Sequence, residues 1–112
     1  MFRGDKEFLQ DIAYACERIE LYTKGLDYDE FLQNGEKQDA VIRNIEIIGE
    51  AVKRLSDGFK DRYLEIEWKK IAGMRDKVIH FYFGVNIEVV WNVVTVEIPR
   101  LKTFVNKVLE EI

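Results

Sequence analysis

The chain has 112 residues, 47 % of them hydrophobic and 34 % charged, with a formal charge of −4 and a pI near 5.1. These values imply one soluble globular domain and exclude a disordered chain. The acidic balance also argues against a general nucleic-acid binder, so any role with nucleic acid must rest on a local basic patch.

The single cysteine, Cys16, excludes an internal disulfide and fits a reducing compartment. No apolar run reaches the roughly 18 residues of a membrane-spanning helix. The polar residues Asp5, Lys6 and Glu7 do not read as a signal peptide. A cytoplasmic location is the expectation.

Apolar residues recur every three to four positions, so the chain reads as all-helical. The first helix is expected over Asp5–Lys24, with Phe8, Ile12, Ala15, Ile19 and Tyr22 on one face. Asp5 is its expected N-cap and Gly25 its stop. A connector follows, with a helical turn from Asp27 or Tyr28 through Leu32 and a turn signal at Asn34-Gly35. The second long helix is expected over Glu36–Leu55, with Val41, Ile45, Ile48, Val52 and Leu55 inward. Gly49 lies in its middle, where it reads as a notch for a neighbouring helix. Arg43, Asn44 and Glu46 are open to either a functional role or a solvated face, and Glu50 reads as solvated.

A short helical piece over Phe59–Leu64 leads to a third helix opening near Glu67. Its apolar residues are Trp68, Ile71, Ala72, Val78 and Ile79, and it is expected to fray or end between His80 and Gly84. The last helix is expected from Asn86, an N-cap, to Glu111. Its stripe comprises Ile87, Val90, Trp91, Val94, Ile98, Leu101, Val105 and Val108, with a kink at Pro99.

The segment from Arg75 to Tyr82 concentrates the chemistry and holds the one histidine of the chain. In a helix Asp76 and His80 share a face, which lets the carboxylate orient the imidazole and raise its pKa. Arg75 presents a planar fork suited to phosphate oxygens. Arg75 and His80 lie about 140° apart around a straight helix, so the reach of the arginine side chain, a loosened helix end or a second chain is needed to bring their functional ends together. Histidine with arginine and no cluster of metal ligands fits metal-independent cleavage of a phosphodiester by the RNA 2′-hydroxyl. Arg43, Lys69, Lys70, Arg75 and Lys77 are the candidate basic patch. On spacing alone the more ordinary reading of the same residues is a capping or half-buried packing histidine at a helix end and one more surface ion pair.

Arg75, His80 and Tyr82 match the Arg-x4-His-x-Tyr motif of the HepT-like branch of the HEPN proteins. The runs Arg43–Ala51, Trp68–Asp76 and Phe83–Asn86, and the pair Val90-Trp91, also resemble this family. The resemblance implies an all-α, four-helix up-and-down bundle with short extra turns, dimerising around its active cleft. It implies a metal-independent endoribonuclease without a cofactor, acting as the toxin of a toxin–antitoxin pair. The partner would be a minimal nucleotidyltransferase antitoxin that adds AMP to the motif tyrosine. By position, Arg75 and His80 would be catalytic, Asp76 supporting and Tyr82 the AMPylated residue. The alternative is a non-catalytic helical partner or regulator of a minimal nucleotidyltransferase.

Overall fold

The computed structural model describes residues 4–84 and 86–112, with the side chains of residues 79–84 outside the description. Its elements are α1 (Asp5–Thr23), α2 (Tyr28–Leu32), α3 (Gly35–Arg54), α4 (Asp57–Arg62), α5 (Trp68–Gly84) and α6 (Ile87–Asn92), then a π-helical turn (Val93–Glu97) and α7 (Ile98–Glu111). The described residues are all-α and contain no strand. α1, α3, α5 and the continuous α6–α7 rod form the expected four-helix bundle. α1 packs on α3 and α7, and α3 packs on α5.

The inward stripes of α3 and the last rod follow the period seen in the sequence. Val41, Ile45, Ile48, Val52 and Leu55 are buried, as are Ile87, Val90, Val94, Ile98, Leu101, Val105 and Val108. On α1 the buried row is Leu9, Ile12, Ala15, Cys16 and Ile19, while Phe8 and Tyr22 flank it half-buried. α5 buries Trp68, Ile71, Met74 and Val78. Ala72 is only half-buried, and Met74 takes a core place that the expected stripe lacked.

Several junctions are fixed by specific bonds. Gly4, not Asp5, caps α1. Asp5 instead reaches across to α4, where its carboxylate accepts from the Ser56 N–H at 2.8 Å and from the Ser56 hydroxyl at 2.6 Å. Ser56 Oγ in turn accepts from the Phe59 N–H and starts α4. This chain of bonds sets the start of α1 beside the end of α3, so the two helices run antiparallel. Gly25, at φ 77°, ends α1 as expected. Asn34 and Asn86 accept from the backbone N–H groups of Lys37 and Glu88 and open α3 and α6.

Pro99 does not break the last rod. Proline has no N–H and its ring crowds the carbonyl four residues back. The helix widens just before it, with the Ile98 N–H donating to the Val93 carbonyl five residues earlier, and α7 continues with Pro99 in its first turn. The expected disturbance is therefore a π turn within a continuous rod.

The start of α5 is clamped by rings. Trp68 lies 5.8 Å from both Phe59 and Phe104, and Tyr63 bridges Phe59 at 5.0 Å and Phe104 at 5.3 Å, measured between ring centroids. The indole N–H of Trp68 donates to the carbonyls of Lys60 and Tyr63, both at 3.1 Å. The apolar burial and the satisfied donor together hold the first turn of α5 in one place. That anchoring fixes the register of everything downstream on the helix, including Arg75.

Candidate functional site

Arg75 stands at the crossing of α3 and α5. A Cβ on Gly49 would meet the Ala72 carbonyl oxygen at 3.4 Å and the Arg75 Cβ at 3.4 Å. Gly49 is thus the notch against which α5 rests, and the arginine leaves the helix directly over it. The guanidinium is half-buried and approaches the Asp76 carboxylate at 3.7 Å. That carboxylate is 72 % exposed, so solvent screens the pair and it contributes little to stability.

Arg75 lines a cleft of about 410 Å³ with Phe8 and Asp11 from α1 and Arg43, Glu46, Ile47, Glu50, Ala51 and Arg54 from α3. Arg43, Ile47, Glu50 and Arg54 follow one another at helical spacing along the outward row of α3. Arg43 contacts Glu46 at 3.6 Å. The cleft joins a wall of mixed charge to apolar surface from Phe8, Ile47 and Ala51. Among the described residues its lining holds three guanidiniums and three carboxylates.

Of the expected site residues, the structure brings Arg75 and Asp76 together. The side chains of His80 and Tyr82 lie outside the described residues. The helical backbone of α5 nevertheless runs unbroken through positions 80 and 82 to Gly84, so the loosened helix end considered from the sequence is absent. Position 75 faces α3, and position 80 therefore falls about 140° away around the helix. The Arg–His pair does not share a face of α5.

The candidate basic patch divides. Arg43 and Arg75 line the cleft, whereas Lys69 and Lys70 line a different groove with Lys53 and Lys60. Lys70 is engaged by Glu97 at 3.1 Å. Arg54 and Glu50 on the cleft wall were not expected as site residues. Their row spacing with Arg43 was visible, but nothing in the sequence indicated that this row borders Arg75. Asn44 is buried, its amide donates to the Ala40 carbonyl at 2.9 Å, and its Oδ1 has no partner among the described residues. No described helix is long and apolar enough to cross a membrane.

Comparison with known proteins supplies what this geometry lacks. Residues 12–108 match the family model described as Ribonuclease HepT-like. The chain is 48 % identical over 102 residues to the "Probable ribonuclease HepT" of Thermococcus cleftensis, covering 91 % of this chain and 93 % of that protein. It is 40 % identical over 106 residues, 95 % of each chain, to the "Putative RNase TTE0752" of Caldanaerobacter subterraneus subsp. tengcongensis. The "Gamma-glutamylcyclotransferase and putative RNase MJ0434" of Methanocaldococcus jannaschii is 47 % identical over 112 residues, all of this chain and 50 % of its own length. No solved structure matches the chain significantly. With the model match spanning nearly the whole bundle and relatives so similar end to end, the chain belongs to the ribonuclease HepT-like family.

Proposed function

We propose that the protein is a metal-independent endoribonuclease, and the toxin of a toxin–antitoxin pair, in which Arg75 and His80 act on the scissile phosphate. The carrying observation is the placement of Arg75, fixed by the Gly49 notch at the mouth of a cleft with its guanidinium half-exposed. A preorganised cation at that point stabilises negative charge developing on phosphate oxygens. His80 removes or returns the proton of the 2′-hydroxyl and the leaving oxygen, and Asp76, one turn before it, orients and supports the imidazole.

The angular separation of positions 75 and 80 gives the dimer its role. One copy directs its arginine toward α3 while its histidine position lies around the helix, so an Arg75 and a His80 at one phosphate come from two copies. The AMPylated form carries AMP on Tyr82, two residues beyond the histidine, where the added phosphate brings negative charge that repels RNA. The modifying partner is the minimal nucleotidyltransferase antitoxin, and the pair acts in the cytoplasm. Support for the ribonuclease part of this reading comes from the family match and from the names of the relatives.

The test is incubation of purified protein with RNA in EDTA. Parent protein cleaves, and Arg75→Ala and His80→Ala each lose activity by about 10² or more while remaining folded. Equal cleavage by parent and His80→Ala would remove the assigned role.

A further inference from the structure

The cleft beside Arg75 has the wrong charge for a track that only follows phosphates. Such tracks are basic, whereas among the described residues this lining balances three guanidiniums with three carboxylates. An ionised carboxylate only accepts hydrogen bonds and a guanidinium only donates. A ligand satisfying both presents donors and acceptors side by side on one rigid frame. Glu46 is occupied by Arg43. Glu50 and Arg54 are one turn apart on the exposed row of α3, and neither has an ion-pair partner among the described residues.

Among the four RNA bases, guanine fits this pair best. Its N1–H and N2–H are two adjacent donors for the two oxygens of one carboxylate. Its O6 and N7 are two adjacent acceptors for one arginine fork. Uracil offers one donor between two acceptors, and cytosine and adenine set a ring acceptor beside their amino group. The volume of about 410 Å³ suits a single nucleotide, and Ile47 and Ala51 give an apolar surface for a base face.

We infer that this cleft is a guanine subsite, with Glu50 accepting from N1–H and N2–H and Arg54 donating to O6 and N7. Its role in positioning a guanosine beside the scissile phosphate rests on the ribonuclease reading. The binding itself does not.

Two measurements test it. In an NMR titration, guanosine 5′-monophosphate binds about tenfold or more tighter than inosine 5′-monophosphate, which lacks N2–H, or adenosine 5′-monophosphate. Glu50→Gln abolishes the guanosine–inosine difference, and Arg54→Gln weakens both ligands. In cleavage of an oligouridine carrying one guanosine, cuts concentrate beside it, and inosine in its place raises KM with kcat little changed. Equal binding of the three nucleotides, or a guanosine preference unmoved by both variants, overturns the subsite. Cleavage without base preference sinks the subsite and leaves the ribonuclease reading standing. Guanosine-selective binding without cleavage does the reverse.

Discussion

Replacing Gly49 by alanine should stabilise the protein, and replacing it by leucine should both destabilise it and weaken the site. Gly49 lies inside α3, where glycine costs about 1 kcal/mol against alanine. The new methyl would sit 3.4 Å from the Ala72 carbonyl oxygen and 3.4 Å from the Arg75 Cβ, which is ordinary contact. No cost of crowding offsets the helical gain, so Gly49→Ala should raise unfolding free energy by about 0.5–1 kcal/mol. Leucine places three further carbons in the same gap. α5 must then move off α3, at about 1–3 kcal/mol, and Arg75 moves with it. Urea unfolding reads the first effect and RNA cleavage the second. Marked destabilisation by alanine would refute the claim that a methyl fits at this contact, and a leucine variant with parent stability and activity would refute the claim that the contact sets Arg75.

Other residues give independent checks. Asp5→Ala removes both bonds to Ser56 and should cost about 1–2 kcal/mol in urea unfolding, despite lying in a helix that alanine favours. Asn44→Leu removes a buried oxygen without a partner and should be neutral or stabilising by up to about 1 kcal/mol; a clear loss in thermal unfolding would mean that the amide has a further bonding role. Burial, with Glu20 nearby, pushes the Cys16 thiol up to about 12 from 9.0. The thiol ionises more readily in the unfolded chain, so its contribution to stability is present below pH 9 and declines as pH rises toward 12. Urea midpoints at pH 8 and pH 10 should therefore fall more for the parent than for Cys16→Ala.

The helices were legible because burial imposes the three-to-four-residue period directly on side-chain polarity, as along Val41–Leu55 and Ile87–Val108. Asp5 escaped because an aspartate before a helix looks like a cap whether it bonds its own helix or, as here, Ser56 some fifty residues away. Met74 was passed over because it adjoins Gly73 at the edge of the motif, although its spacing from Ile71 and Val78 already fits the inward stripe that α5 buries. At the site, composition singled out Arg75, Asp76 and His80, and the spacing already placed arginine and histidine on different faces. The cleft itself was not legible. It forms where α3 and α5 cross at Gly49, and that crossing brings Glu50 and Arg54 beside a residue more than twenty positions later in the chain.

The proposed division of the active site between two copies is tested most directly by mixing two inactive proteins. Arg75→Ala and His80→Ala are each purified, confirmed folded, then combined under conditions that exchange subunits and assayed on RNA in EDTA. A mixed dimer retains one cleft with an intact Arg75 from one copy and an intact His80 from the other, so activity should return to a substantial fraction of the parent's. A mixture that exchanges subunits yet stays as inactive as its components, beside an active parent, would contradict a site shared across the dimer.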